Sequence, residues 1–196
     1  MIDYFALLDQ PHAPWLDPDE LKNSYHQKTL QAHPDARASH PGAGATDAAF
    51  ARLNEAYQVL QDPKRRLHHL LSLEDRAPSS GDQTVPRQLH DLFPRVAALV
   101  ERTRALMGKL GATSNALSRS LLKPQLIELQ EDANTLREEI QHLTDKSLDR
   151  LRQINPTWAN HSAEEIEDLS NLYFVFAFLG RWSAQLDEMT FQLSLH

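Results

Sequence analysis

The sequence contains no cysteine among its 196 residues. Disulfide bonds, thiolate nucleophiles and cysteine-ligated zinc are therefore excluded. Long apolar runs are also missing, since the longest one, residues 172–179, is far shorter than the ~20 residues of a membrane-spanning helix. The first residues lack the charged segment and apolar stretch of a signal peptide. We therefore expect a cytoplasmic protein that has no membrane partner.

Charge of one sign does not dominate either half of the chain. Residues 1–76 carry 8 Lys/Arg against 11 Asp/Glu, and the remainder carries 12 against 16. Neither half is a basic platform for nucleic acid, so no nucleic-acid partner is expected. The Lys64-Arg65-Arg66 run is interpreted as a solvated face that caps a helix.

Motifs for catalysis, metals and cofactors are also missing. The ten histidines form neither an H-E-x-x-H motif nor an i, i+4 pair. No Ser/His/Asp set, glycine-rich phosphate loop or pair of catalytic carboxylates follows from the spacing. We expect no metal, no cofactor and no enzymatic activity of the chain's own.

Helical spacing recurs throughout, whereas alternating strand patterns are almost absent, so the predicted fold class is all-α. The N-terminal part predicts a short first helix, then a pair of antiparallel helices at about 17–32 and 46–61, then a short helix through Leu73. Asp17 is the predicted cap of the second helix. The Pro/Ser/Gly stretch around residues 78–81 marks a linker. The predicted division is 1–76, a linker at 77–84, and 85–196.

The C-terminal part predicts an antiparallel bundle of about three long helices. The first spans about 86–110, the second begins near Pro124 and ends at Asn155-Pro156, and the third begins at a capping box of Ser162 and Glu165. The core seam of the third helix is expected at 3/4 spacing, through Leu169, Leu172, Phe176, Leu179, Leu186 and Leu193.

The His33-Pro34-Asp35 motif follows the helix that begins at Asp17. Proline fixes φ and lacks a backbone donor, so it stiffens the turn and holds the two flanking side chains in a defined relation. A second helix follows and ends in Asn-Glu-Ala-Tyr-Gln-Val-Leu-Gln-Asp-Pro, residues 54–63. This helix, loop and helix arrangement resembles a J domain, the module by which DnaJ-type co-chaperones engage DnaK-type chaperones.

The resemblance implies that the chain activates the ATPase of a DnaK-type chaperone. It implies a chaperone-binding role for His33, Pro34, Asp35, Lys22, His26 and Tyr25. The inward side of the preceding helix is predicted to consist of Leu21, Ser24, Lys28 and Ala32.

The run Arg-Leu-His-His-Leu-Leu-Ser-Leu, residues 66–73, resembles the closing segment of the J domain in the HscB family. The layout of a J domain, a short linker and a helical C-terminal part is similar to that family too. The resemblance implies that the client is an iron–sulfur cluster scaffold. It also implies an apolar client-binding patch that includes Leu92, Phe93, Val96 and Phe178.

Helical geometry adds Phe174 to this patch. If Phe176 marks the middle of the core seam, Phe174 and Phe178 lie about 160° away from it, on an otherwise polar face. Packing within the protein and partner binding both remain open for these two rings. A second function also remains open, in which the chain is a J-like structural or assembly protein that forms homo-oligomers through its long helices and activates no chaperone.

Overall fold

Helices account for the regular structure of this chain. The computed structural model describes residues 1–32, 43–78 and 84–195. Within these ranges no strand occurs, and the predicted all-α fold class is confirmed. The helices are α1 (Tyr4–Leu7), α2 (Pro18–Ala32), α3 (Ala43–Gln61), α4 (Pro63–Leu73), α5 (Leu92–Ala112), α6 (Ala116–Ser120), α7 (Lys123–Ile154) and α8 (Ala163–Ser194), with 3-10 turns at Arg87–Leu89 and Asn155–Asn160.

Side-chain caps fix the starts of α2, α4 and α8. Asp17 Oδ1 accepts hydrogen bonds from the backbone N–H groups of Asp19 at 2.9 Å and Glu20 at 3.1 Å, which confirms it as the cap of α2. At α8, Ser162 Oγ accepts from the Glu165 N–H at 3.2 Å, while Glu165 Oε2 accepts from the Ser162 N–H at 2.8 Å. This reciprocal pair is the predicted capping box. Asp62 caps α4 in the same manner as Asp17 caps α2.

The chain divides into two compact units. Unit 1 contains residues 1–82 and 148–173, and unit 2 contains residues 83–147 and 174–196. The predicted division into 1–76, 77–84 and 85–196 follows the linear chain, and it did not anticipate that residues 148–173 group with the N-terminal residues. Residues 79–83 of the predicted linker lie outside the described residues.

Unit 1 is built around α3, which packs against α1, α2 and α4. Its N-terminal core is mostly leucine, and its fully buried large side chains are Phe5, Leu8, Leu21, Leu60, Leu67, Leu70 and Leu71. The end of α7 and the turn after it join this unit through Trp15. The Trp15 N–H donates to Asn155 Oδ1 at 3.1 Å, and the Arg152 guanidinium lies 5.5 Å from the centre of the Trp15 ring.

Unit 2 is a bundle of α5 with parts of α7 and α8. Arg95 pairs with Glu139 and Arg102 pairs with Asp132, so residue numbers rise along α5 as they fall along α7. Likewise Gln130 contacts Leu193, whereas Arg137 pairs with Asp187. Both helix pairs are therefore antiparallel, as predicted.

All six residues of the predicted α8 seam are buried, but the α8 residues in the core of unit 2 only partly coincide with them. The α8 residues of this core are Val175, Phe178, Leu179, Trp182, Leu186, Met189 and Leu193. The choice of Phe176 as the centre of the seam placed Phe178 on a polar face, and this was wrong. Phe178 is only 6% exposed, with the Trp182 ring 5.6 Å away and the Arg181 guanidinium 5.1 Å from its own ring centre.

Each helix in the described ranges is too short or too polar to cross a membrane.

Candidate functional site

Helix α2 presents two of the predicted chaperone-binding residues to solvent. Leu21 is buried against the rest of unit 1 and fixes the rotation of the helix. Lys22 and His26, one turn apart on the same stripe, are exposed. The structure therefore places these two side chains where a partner protein can reach them.

Tyr25 lies on the side of α2 that faces α3. Its ring stacks on Tyr57 with 4.5 Å between the ring centres, and its hydroxyl donates to Asn54 Oδ1. Tyr25 is half-buried, and its ring and hydroxyl are engaged in holding α2 to α3. Its predicted contact with a chaperone stays a prediction.

The polar residues Ser24 and Lys28, predicted for the inward side of α2, contact residues that precede this helix in the sequence. Lys28 Nζ lies 2.5 Å from Asp9 Oδ2, and Ser24 Oγ accepts from Gln10 Nε2 at 3.0 Å. Asp9 has a φ of 51°, a left-handed conformation that aspartate tolerates better than most residues. The charge of Lys28 is thus engaged with Asp9, and the exposed cations of this stripe are Lys22 and, when protonated, His26.

The His33-Pro34-Asp35 motif begins directly after Ala32, the last residue of α2. All three of its residues lie outside the described residues. Their predicted exposure and their role in chaperone binding therefore stay predictions.

Arg66 is buried in unit 1, so its interpretation as part of a solvated face was wrong. Its Nε donates to the Pro14 carbonyl oxygen at 2.9 Å and its Nη1 to the Leu60 carbonyl oxygen at 2.6 Å. Burial lowers the pKa of the guanidinium to about 10, and the nearby Asp62 carboxylate opposes that shift. Arg66 therefore remains charged at neutral pH and joins α4 to two carbonyl groups outside that helix. The exposed positions of Lys64 and Arg65 agree with the interpretation.

His69 is the second buried polar residue of α4. Its Nε2 accepts a hydrogen bond from the Tyr4 N–H at 3.1 Å, and its ring stacks on Phe5 with 5.7 Å between the centres. An Nε2 that accepts requires the neutral ring with its proton on Nδ1. Burial lowers the pKa of His69, which favours the same neutral form.

Helical spacing was the available sequence signal for Arg66. Arg66, Leu70 and Leu73 stand at i, i+4 and i+7, so they share one face of α4. That face turns toward the core, so an arginine at this position needs buried hydrogen-bond acceptors. His69 gave no comparable signal, because its donor is 65 residues away in the sequence.

The five predicted client-binding residues do not form one exposed patch. Leu92, Val96 and Phe178 belong to the core of unit 2. Phe174 is half-buried, and Phe93 is 49% exposed. The Phe93 ring lies 6.4 Å from the Trp182 ring, which in turn packs on Phe178. Phe93 is thus the one large exposed ring of the predicted set, and it lies beside Trp182 of the unit 2 core.

Among the described residues, no three His, Asp or Glu side chains come together in a way that would hold a metal ion.

Comparison with known proteins gives a family match in the N-terminal part. The DnaJ domain family matches residues 3–69, which include the His33-Pro34-Asp35 motif. The chaperone protein DnaJ of Gluconacetobacter diazotrophicus is 30% identical over 99 residues, 48% of this chain and 25% of that protein. The DnaJ of Protochlamydia amoebophila is 38% identical over 66 residues, 34% of this chain and 16% of that protein. The chain therefore matches a quarter or less of the length of these two relatives.

Two solved structures resemble the whole chain. Chaperone HscB from Vibrio cholerae has a TM-score of 0.57 at 19% identity, and covers 98% of this chain and 99% of its own. The human co-chaperone protein HscB has a TM-score of 0.53 at 17% identity, and covers 95% and 81%. At identities this low, the structural similarity shows a shared fold and nothing more.

Proposed function

We propose that this chain, a J-domain protein with the fold of the HscB co-chaperones, activates the ATPase of a DnaK-type chaperone and presents a client to it. The observation that carries the proposal is the DnaJ-domain match over residues 3–69, because it spans the intact His33-Pro34-Asp35 motif. The chain itself then hydrolyses nothing, and its role is to bind and activate the chaperone.

The chaperone contact is proposed to consist of the motif and the exposed stripe of α2. Lys22 supplies positive charge that attracts an acidic surface and orients the encounter, and His26 stands exposed on the same side of α2. Pro34 stiffens the backbone between His33 and Asp35, so less conformational entropy is lost when the motif binds. Tyr25 contributes indirectly, because its ring stacks on Tyr57 and so fixes α2 on α3.

The client is proposed to be an iron–sulfur cluster scaffold. The support for this is the HscB fold over nearly the whole chain, together with an exposed phenylalanine at Phe93. Phe93 is the proposed contact ring, and it lies beside Trp182, which belongs to the same core as Leu92, Val96 and Phe178. Phe174 lies on α8 beside this core and completes the proposed set.

Substituting Asp35→Asn tests the chaperone activation. The change removes the charge of the motif while leaving Pro34 and α2 intact, so folding should survive and stimulation should fall at least about tenfold. The measurement is single-turnover ATP hydrolysis by the cognate DnaK-type chaperone. Asp145→Asn is the matched control, because Asp145 is exposed and accepts a hydrogen bond from Gln141 in unit 2. Equal stimulation by Asp35→Asn and the wild type would remove the motif from the mechanism.

Substituting Phe93→Ala tests the client surface. An exposed ring that becomes buried at an interface typically contributes ~2 kcal/mol, so scaffold binding should weaken roughly 30-fold. Isothermal titration calorimetry with a purified scaffold protein measures this. Phe50→Ala, a similarly exposed phenylalanine on α3, is the control. Scaffold binding that both variants leave unchanged would point to a different surface or a different client.

A further inference from the structure

One end of unit 2 carries a concentration of exposed apolar side chains. Of the ten exposed large hydrophobic residues in the described ranges, five lie there. They are Leu117, Leu121, Ile127, Phe191 and Leu195, and together they are called the apolar end below. Soluble surfaces rarely gather so many large apolar groups without a partner.

The helix register places these residues at one end of the bundle. An ion pair joins Arg102, in the middle of α5, to Glu128 near the start of α7, and the antiparallel register therefore brings the second half of α5 to the start of α7. The contact of Gln130 Nε2 with the Leu193 carbonyl oxygen, at 3.5 Å, brings the last turns of α8 to the same level. The short α6, with Leu117 and next to Leu121, connects α5 to α7 at this end.

A groove runs between α5 and α7 beside the apolar end. Its volume is about 260 Å³, and its walls include Leu106, Leu129, Arg102 and Lys109. Leu106 and Leu129 form the floor, and the rim carries Arg102 and Lys109 from α5 and Glu128 from α7, which pairs with Arg102. Such a groove suits an amphipathic helix that inserts its apolar side chains between two helices.

The charge of this region is opposite to that of the whole chain. Residues 102–127 contain five Lys/Arg and no Asp/Glu, although the chain has a net charge of −7. Arg102 is already paired with Glu128 and Asp132 from α7. Among the described residues, neither Lys109 nor Lys123 has a carboxylate within ion-pair distance. These two lysines therefore remain available to a carboxylate from outside.

We propose that the apolar end and its groove bind a helical segment of another protein, apolar on one side and acidic along its flanks. A second copy joined end to end would bring two positive regions together, so charge disfavours it. A groove with walls on two sides matches a helix better than a flat lipid surface, and α6, with five residues, is too short to lie in a membrane as an amphipathic helix. This surface is separate from the proposed chaperone contact and does not depend on it.

Two synthetic peptides test the proposal. Each is a helix of about 20 residues with leucine at i, i+3, i+4 and i+7. One carries glutamate at the remaining positions and the other carries lysine. Fluorescence anisotropy with the full chain should show the glutamate peptide binding at least about tenfold more tightly than the lysine peptide.

Two double variants locate the site. Leu117→Ser with Leu121→Ser should weaken binding of the glutamate peptide at least about tenfold, because it removes apolar surface. Lys109→Glu with Lys123→Glu should weaken it by a similar factor and reduce its dependence on salt. Leu30→Ser is the matched control, since Leu30 is as exposed as Leu117 and lies in unit 1. All substituted residues are exposed, so circular dichroism should give the wild-type melting temperature for each variant.

Three kinds of outcome would overturn the proposal. One is a lack of specificity, either equal binding of both peptides or binding that both double variants leave unchanged. Another is binding to vesicles of anionic phospholipid without binding to the glutamate peptide, which would make the apolar end a membrane contact. The third is a concentration-dependent dimer in sedimentation that Leu117→Ser with Leu121→Ser abolishes, which would make it an interface between copies.

Discussion

Unit 1 and unit 2 both have apolar cores, but they differ in where their polar contacts lie. In unit 1, segments that are far apart in sequence meet through buried polar groups, such as Arg66 with the Pro14 carbonyl and His69 with the Tyr4 N–H. In unit 2, a long apolar core runs along three helices, and the cross-helix polar contacts, such as Arg95 with Glu139, lie on the surface. A buried polar group needs a matching donor or acceptor, so few partners suit it, whereas apolar packing is less specific. The first kind therefore fixes which segments meet, and the second supplies stability.

The difference predicts distinct responses of the two units to substitution and to pH. The largest expected effect is in the core of unit 2. Phe178→Ala should lower the free energy of unfolding by ~3–5 kcal/mol, because it leaves a cavity beside Trp182. Urea denaturation followed by circular dichroism measures this. Phe93→Ala, at a ring that is half exposed, should cost less than ~1 kcal/mol. Equal losses in the two variants would contradict the assignment of Phe178 to the core.

The next effect concerns Arg66 in unit 1. Arg66→Met keeps most of the volume but leaves the Pro14 and Leu60 carbonyl groups without their donors. The expected loss is roughly 2–4 kcal/mol, since each buried unsatisfied group costs ~1–3 kcal/mol. Arg65→Met is the control, because Arg65 is exposed, and it should change stability by less than ~0.5 kcal/mol. A stable Arg66→Met protein would show that apolar packing alone holds α4 in unit 1.

A pH effect should separate the two units. The pKa of His69 is lowered by burial, so its contribution to stability is present above the unfolded-state value near ~6.5 and is lost as pH falls through the lower folded-state value. Unit 1 should therefore lose stability as the pH falls below about 6.5, and unit 2 should change less. Urea titrations followed by the NMR methyl signals of Leu70 and Leu186 report the two units separately. His69→Gln offers an acceptor that does not titrate, and it should flatten the response of unit 1.

The smallest expected effect is a gain in unit 2. Thr103 is buried in α5, and its Oγ1 has no hydrogen-bond partner among the described residues. Thr103→Val keeps the shape and removes the unsatisfied hydroxyl, so it should stabilise the protein by ~1 kcal/mol. Thr144→Val is the matched control, because the Thr144 hydroxyl donates to the Ile140 carbonyl oxygen at 2.8 Å. A thermal melt that shows equal shifts for both variants would contradict this interpretation of Thr103.

The features that sequence reasoning predicted correctly are local. The Asp17 cap and the box of Ser162 with Glu165 involve residues within three positions of each other, so their pattern is visible in the chain itself. The antiparallel packing of the long helices also followed, because a narrow apolar stripe over such a length has few other solutions. The match to the DnaJ domain agrees with the frame of helices around His33-Pro34-Asp35.

The features that it missed depend on contacts between distant residues or on a choice of helix rotation. The acceptor of Arg66 at Pro14 is 52 residues away, and nothing in the Lys64-Arg65-Arg66 run indicates which cation turns inward. On α8, apolar residues are so dense between 172 and 179 that two seams fit the 3/4 spacing. Only packing against α5 and α7 selects the seam that contains Phe178 and Trp182.

The proposed chaperone contact lies in unit 1, on α2 and the motif after it. It can be tested by following the backbone amide signals of the isotope-labelled chain by NMR while the ATP-bound DnaK-type chaperone is added. We expect shifts or broadening at Lys22, His26, His33 and Asp35, and unchanged signals around Leu186 in unit 2. Changes confined to unit 2, or signals that stay unchanged at saturating chaperone, would contradict the proposed contact.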